Sequence, residues 1–117
     1  MTEKIFTIKS PLGYNIVCSD TTWSEHIQTS HAMMSENIEA VKDAVGNPMA
    51  VYQSAEWPNR DVYFGKSSQA TYGNLLYTKV VVVTPDEYNE EGDVVSAWPQ
   101  RNISGNIGEL RYVKFKP

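Results

Sequence analysis

The sequence predicts an α+β domain in which an N-terminal β-hairpin and two helices precede a twisted antiparallel β-sheet of four to five strands, with the helices packed on one face. Three observations support this prediction: an alternating segment near the N-terminus, two runs of helical periodicity, and several β-branched segments between turn residues. The 117 residues suffice for one hydrophobic core, so we expect a single domain over residues 1–117.

The hairpin and the helices are expected in the first 46 residues. Residues 1–18 should form the hairpin, because residues 3–9 alternate in polarity like a strand and a short turn separates them from a second apolar segment. Residues 20–46 should form a pair of short helices, because apolar side chains recur there at intervals of three to four residues. The sequence contains no internal repeat.

Capping residues predict where the two helices begin and end. Thr22 and Glu25 have the spacing of a capping box, in which each side chain satisfies a backbone N–H at the helix start. Ser35 is placed to cap the second helix. Gly46 followed by Pro48 is a typical helix end, with the glycine in the left-handed conformation and the proline unable to continue the helix.

The sheet is expected over residues 49–115. Residues 75–84 form the most apolar run and are rich in β-branched side chains, which predicts the central strand. The segment Asp86–Asp93 contains five acidic residues and no basic one, so it should be a solvated hairpin loop. Residues 67–73 are small and polar and predict another loop.

Charge argues against a protein that coats nucleic acid by bulk electrostatics, because the formal net charge is −4. The acidic segment alone contributes −5, so the remainder of the chain carries +1 and can present a local basic surface. No apolar run is long enough to span a bilayer and no leader peptide is evident, so we expect no membrane association and a cytoplasmic location.

The single cysteine, Cys18, excludes an internal disulfide bond. With two histidines it leaves too few ligands for a structural zinc site, so no metal and no cofactor are expected. A catalytic pair of cysteine and histidine stays possible, although a cysteine among apolar residues is more often buried and inert.

A series of short motifs extends from residue 23 to about residue 101. In this order the motifs resemble those of the phage and mobile-element nucleases of the barnase, EndoU, colicin and RelE superfamily. The chain departs from the family pattern at Ala32, where proline commonly follows the histidine, and at Ser96, which replaces threonine but keeps a hydroxyl. The motifs are Trp23-x-x-His26-Ile27, His31, Asn47-Pro48, Asn59-Arg60-x-x-Tyr63, a valine-rich strand led by Lys79, and Val94-Val-Ser-Ala-Trp-Pro99.

The resemblance implies a metal-independent ribonuclease that acts on RNA as a toxin or effector. Such cleavage needs a base for the 2'-hydroxyl proton, an acid for the leaving 5'-oxygen, and donors for the phosphate oxygens. Histidine suits proton transfer near neutral pH, and arginine and lysine suit phosphate binding. The candidate catalytic residues are His31, His26, Lys79, Ser96 and Arg101, and the candidate substrate-binding residues are Arg60 and Tyr63.

Each candidate also has a structural interpretation. His26 lies beside an apolar stripe and can be a hydrogen-bonded structural histidine, so we prefer His31, which lies at the junction of the two predicted helices. Lys79 can extend its ammonium from a strand end, and Arg60 can form an ion pair within its turn. Tyr63, like Trp98, can belong to the core instead of a base-stacking surface.

Two other functions remain open. The first is a catalytically inactive protein-binding module, or a phage-encoded adaptor, that uses its acidic hairpin or a sheet edge. The second is a toxin held inactive by a cognate immunity or antitoxin protein. Convergence of the catalytic candidates on one surface would favour the nuclease, whereas their scatter over opposite faces would favour the binding module.

Overall fold

The computed structural model describes residues 3–27, 38–66 and 77–114 of the chain. Several sequence-based predictions lie outside these residues: His31 with the helix junction, the cap at Ser35, and the loop at residues 67–73. The described elements are β1 (Lys4–Lys9), β2 (Asn15–Ser19), a π-helical turn (Thr22–Ile27), α1 (Ile38–Gly46), β3 (Ala50–Ser54), β4 (Arg60–Lys66), β5 (Tyr77–Val83), β6 (Gly92–Gln100) and β7 (Ile107–Val113).

The predicted α+β class, with two helices and an antiparallel sheet of four to five strands, is wrong. The described residues form a seven-stranded mixed sheet in the order β1-β2-β6-β5-β4-β3-β7, accompanied by one nine-residue helix and the π-helical turn. The hairpin joins this sheet because β2 pairs in parallel with β6, where Ile16 lies opposite Gly92. Local turn residues reveal a hairpin, but a parallel pair joins distant segments and leaves no local pattern.

The positions of the strands agree with the prediction more closely than the class does. β5 lies fourth of the seven strands, between β4 and β6, so the valine-rich run is the central strand as predicted. Alternate side chains of β5, including those of Val80 and Val82, are fully buried on the side of the sheet against which α1 packs. The acidic segment follows β5 and its residues 86–90 are exposed, as expected.

The π-helical turn and α1 pack on the same face of the sheet. Trp23 of the turn and Val41 and Val45 of α1 belong to one core cluster with Val80 and Val82 of β5. The π-helical turn is preceded by helical backbone at residues 20 and 21, and the hydroxyl of Ser19 accepts a hydrogen bond from the Thr22 N–H at 3.1 Å. Ser19 therefore caps this segment, and the predicted capping box of Thr22 and Glu25 is wrong. We call this side of the sheet the helical face and the other side the open face.

Two glycines allow close contact on the helical face. A Cβ atom at Gly65 of β4 would lie 2.5 Å from the Cα atom of Ala44, so only glycine lets α1 approach β4 this closely. The helix ends at Gly46, as predicted, but φ is positive among the described glycines only at Gly13 and Gly105, so the predicted left-handed cap at Gly46 is wrong. Its Cβ would instead lie 2.6 Å from Cγ2 of Ile8.

Residues 101–106, the crossing segment, connect β6 to β7 over the open face. Three strands separate β6 from β7 in the sheet, so the connection must traverse that face. Its far end is fixed where the Ala55 N–H donates to the carbonyl oxygen of Asn106 at 2.8 Å. No helix among the described residues is long and apolar enough to cross a lipid bilayer.

Candidate functional site

A cleft of about 270 Å³ lies on the open face, between the sheet and the crossing segment. Its floor is apolar and comes from Val62, Val81 and Val95 of the three central strands. Polar and aromatic side chains surround this floor, as is typical of ligand-binding sites. The remaining lining residues are Ser54, Glu56, Trp57, Arg60, Lys79, Ser96, Trp98, Gly105 and Asn106.

Three of the predicted site residues lie together in this cleft: Arg60, Lys79 and Ser96. They belong to the adjacent strands β4, β5 and β6, and the register places Lys79 opposite both Phe64 and Trp98. Residues that are directly opposite in an antiparallel pair share a face, and alternate residues along a strand do too. The sheet therefore brings these three side chains to the open face.

Lys79 is almost completely buried, at 5% exposure. Its ammonium donates hydrogen bonds to the carbonyl oxygens of Ser104 at 3.1 Å and Gly105 at 2.7 Å. The Nζ atom also lies 5.1 Å from the ring centre of Trp98 and 5.7 Å from that of Phe64. Burial lowers the pKa of this ammonium below its ordinary value. Lys79 thus anchors the crossing segment.

The crossing segment is shaped to receive this ammonium. Gly105 has φ of +88°, a conformation that favours glycine, and a Cβ atom there would lie 2.9 Å from Nζ of Lys79. The side-chain amide of Gln100 donates to the carbonyl oxygens of Asn102 at 2.8 Å and Ser104 at 2.7 Å. Two side chains of the sheet therefore fix the path of the segment.

Arg60 lies at the other end of the cleft, about 14 Å along the strands from Lys79 at roughly 3.4 Å per residue. Its guanidinium carbon lies 4.9 Å from the ring centre of Trp57, a cation–π distance. Among the described residues, the buried Nε atom of Arg60 has no hydrogen-bond partner. Arg60 also lines the cleft, and a guanidinium group there is suited to an anion.

The loop that carries Trp57 is held in place by hydrogen bonds within it, from backbone N–H groups to a hydroxyl and to a carbonyl oxygen. The hydroxyl of Ser54 accepts hydrogen bonds from the N–H groups of Glu56 at 3.2 Å and Trp57 at 3.1 Å. The Arg60 N–H donates to the carbonyl oxygen of Trp57 at 3.2 Å. Trp57 remains 48% exposed, which is unusual for so large an apolar side chain.

Two predicted residues lie away from the cleft lining. Arg101 is exposed at the start of the crossing segment. Tyr63 is completely buried and lies opposite Val80, which places it on the helical face. Tyr63 therefore belongs to the core, which is the structural interpretation that the sequence allowed.

The side chains of both histidines lie outside the part of the chain that the structure describes. The backbone of His26 lies in the π-helical turn, which packs through Trp23 on the helical face, across the sheet from Lys79 and Ser96. His31 lies outside the described residues. The described lining of the cleft provides cationic side chains, hydroxyls and one carboxylate, that of Glu56.

A chain of polar side chains crosses the helical face. The Tyr63 hydroxyl lies 2.5 Å from that of Ser10 and donates to that of Tyr14 at 2.7 Å, and Tyr14 donates to Oδ2 of Asp61 at 2.8 Å. Oδ1 of Asp61 lies 3.1 Å from Nε of Arg111. Burial raises the pKa of Tyr63 to about 12 and also raises that of Tyr14 and of Asp61. The chain joins β4 to the hairpin and to β7.

Metal-ligating and nucleophilic groups are sparse in the part of the chain that the structure describes. No three or more His, Cys, Asp or Glu side chains gather there into a group that could hold a metal ion. Cys18 is buried, and burial raises the pKa of its thiol to about 12. The thiol is therefore protonated at neutral pH, which leaves it a poor nucleophile.

Sequence analysis alone missed several members of the cleft. Trp57 and Glu56 are not among the site residues predicted from the sequence, and Trp98 has a core interpretation as well as a base-stacking one. The available signal was the spacing of Trp57 and Arg60 around a Pro58-Asn59 turn, which brings an indole and a guanidinium together.

Searches of protein-family models, of curated proteins and of solved structures found no match to this chain.

Proposed function

We propose that this protein is a metal-independent ribonuclease whose substrate lies in the cleft on the open face. The observation that carries this proposal is the position of Arg60, which lines a cleft together with Ser96 and two tryptophans. Guanidinium groups bind phosphate, hydroxyls donate to its oxygens, and indoles stack on bases. RNA offers both the phosphates and the bases that these side chains bind. The proposed location is the cytoplasm, where RNA is abundant.

The proposed reaction is a transesterification. A base removes the proton of the 2'-hydroxyl, the 2'-oxygen attacks phosphorus, and the bond to the 5'-oxygen breaks as that oxygen receives a proton. Negative charge builds on the non-bridging oxygens, where Arg60 and Ser96 donate hydrogen bonds. The products are a 2',3'-cyclic phosphate and a free 5'-hydroxyl.

Two groups are candidates for the base. His31 is the group that the family resemblance implies, and its ordinary pKa suits proton transfer at neutral pH. Glu56 is the carboxylate at the edge of the cleft. Lys79 contributes positive potential, but its hydrogen bonds to the crossing segment make it primarily an anchor.

The proposal is tested by incubating purified protein with a labelled single-stranded RNA and with total tRNA in EDTA. Arg60→Met should lower the cleavage rate by about 100-fold or more, the effect of removing one charge-stabilising donor. Arg60→Lys should restore part of it, because lysine keeps the charge but not the bidentate geometry. Lys42→Met is the matched control, because Lys42 lies on α1 beyond the helical face and pairs with Glu39.

The same assay assigns the proton-transfer group. Loss of cleavage in His31→Ala, with Glu56→Gln active, would identify the histidine, and the reverse pattern would identify the carboxylate. Arg101→Ala tests whether the sequence-based prediction for that exposed residue holds. Full activity of Arg60→Met, or cleavage only after metal is added, would refute the proposed mechanism.

A second candidate function is a binding module without catalysis. It is favoured by the anchored ammonium of Lys79 and by the position of the π-helical turn across the sheet from the cleft. Its exposed acidic segment, in which Tyr88 is 88% exposed, offers a surface for a basic protein such as an immunity or antitoxin partner. RNA that is neither bound nor cut by the wild-type protein would favour this function.

A further inference from the structure

We infer that the cleft binds one unpaired nucleotide, whose base stacks on Trp57, so that the substrate is single-stranded RNA. This inference deepens the proposed function and rests on it. Trp57 combines three properties: a large aromatic surface, 48% exposure, and a position at the edge of the cleft beside Arg60. Single-stranded nucleic acids are bound by such aromatic surfaces within positively charged grooves.

The size of the cleft limits what can enter it. Its volume of about 270 Å³ is slightly below the common range of roughly 300–1,000 Å³ for small-molecule sites. The loop that carries Trp57 and the crossing segment meet at the hydrogen bond between Ala55 and Asn106, which closes one side. A duplex presents stacked bases inside two backbones, whereas an unpaired base can enter such a space alone.

The contact between Trp57 and Arg60 prepares the site for a base next to a phosphate. The guanidinium carbon lies 4.9 Å from the ring centre, so the cation and the ring are already adjacent. A base that stacks on the indole brings its own phosphate towards the guanidinium group of Arg60. The same two residues can then hold both parts of one nucleotide.

Trp98 has a different role at the opposite end of the cleft. Its indole N–H donates to the side chain of Gln100 at 3.3 Å, and its ring packs against the ammonium of Lys79 at 5.1 Å. These contacts make Trp98 part of the wall that supports the crossing segment. Trp57 is therefore the indole with surface available for a base.

The test measures binding separately from cleavage. A fluorophore-labelled 2'-O-methyl oligonucleotide, which cannot undergo transesterification, is titrated with protein as a single strand and as a duplex, and fluorescence anisotropy reports the affinity. Trp57→Ala should weaken single-strand binding by about 5- to 150-fold, the range expected for loss of one stacked base. Trp57→Phe should retain most of the affinity.

Tyr88→Ala is the matched control, because Tyr88 is an aromatic residue with 88% exposure on the acidic segment, outside the cleft lining. Its single-strand affinity should equal that of the wild type. Equal affinity of the wild type for single strand and duplex, or unchanged affinity in Trp57→Ala, would overturn the inference. If either result is found while the wild-type protein still cleaves RNA, this inference fails and the proposed function stands.

Discussion

The ammonium nitrogen of Lys79 lies 2.7 Å from the carbonyl oxygen of Gly105, so a buried cation on the central strand holds the segment that borders the cleft. A Cβ atom at Gly105 would lie 2.9 Å from that nitrogen, so the two residues fit only because one of them is glycine. Changes at either position should therefore affect the crossing segment directly. This contact gives the first two predictions.

Removing the ammonium should destabilise the protein. Lys79→Met deletes two hydrogen bonds from a charged donor, and we expect the free energy of unfolding to fall by about 1–3 kcal/mol. Urea denaturation measures this change. Lys42→Met, which removes a partly exposed lysine of α1 that pairs with Glu39, should change stability by no more than about 0.5 kcal/mol. Equal effects of the two substitutions would show that Lys79 does not act as an anchor.

Adding a side chain to the crossing segment should alter the cleft. Gly105→Ala imposes strain at φ of +88° and crowds Lys79, so we expect a loss of about 1–3 kcal/mol in stability and weaker RNA binding. Gly13→Ala is a matched control with φ of +101° and open space around the new Cβ. It should share the backbone strain but keep the affinity for RNA. An unchanged RNA affinity in Gly105→Ala would show that the crossing segment does not contribute to RNA binding.

Removing the hydroxyl of Tyr63 should reduce stability on the helical face. Tyr63→Phe breaks its contacts with Ser10 and Tyr14, and we expect the free energy of unfolding to fall by about 1–2 kcal/mol. Denaturation and RNA binding are measured on the same preparation. Lower RNA affinity without lower stability would instead support the sequence-based assignment of Tyr63 to substrate binding.

The buried carboxyl of Asp61 should make stability depend on pH. Burial raises its pKa above 3.8, although Tyr14 and Arg111 act in the opposite direction, so the folded state binds the proton more tightly than the unfolded state. This contribution is complete below the unfolded pKa and is lost as the pH rises through the folded pKa. Wild-type protein should therefore gain stability relative to Asp61→Asn between pH 7 and pH 4. The opposite trend in urea denaturation would show that its partners outweigh burial.

The sequence allowed the strands to be predicted better than their arrangement. The valine-rich run at residues 77–83 could be assigned to the centre of the sheet because burial of a strand requires apolar, β-branched side chains. The parallel pairing of Ile16 with Gly92 could not, because it depends on tertiary packing between distant segments. The predicted fold class is therefore wrong, although the hairpin and the central strand are placed correctly.

The candidate site was predicted in part for a similar reason. Arg60, Lys79 and Ser96 share a face because of the register between three strands, which no local pattern specifies. The same register places Tyr63 on the other face, one residue from the partner of Lys79. The anchoring role of Lys79 depends on carbonyl groups 25 and 26 residues away in the chain and is not visible from its neighbours.

The parallel pair of β2 and β6 has a consequence for how the chain is made. During synthesis β2 is made long before Gly92, the first residue of β6. The edge of β2 that pairs with β6 therefore stays unpaired while more than half of the polypeptide is synthesised. Pairings between such distant segments form slowly. During that interval the backbone groups of this edge are open to intermolecular strand pairing, so an incomplete chain is exposed to aggregation there.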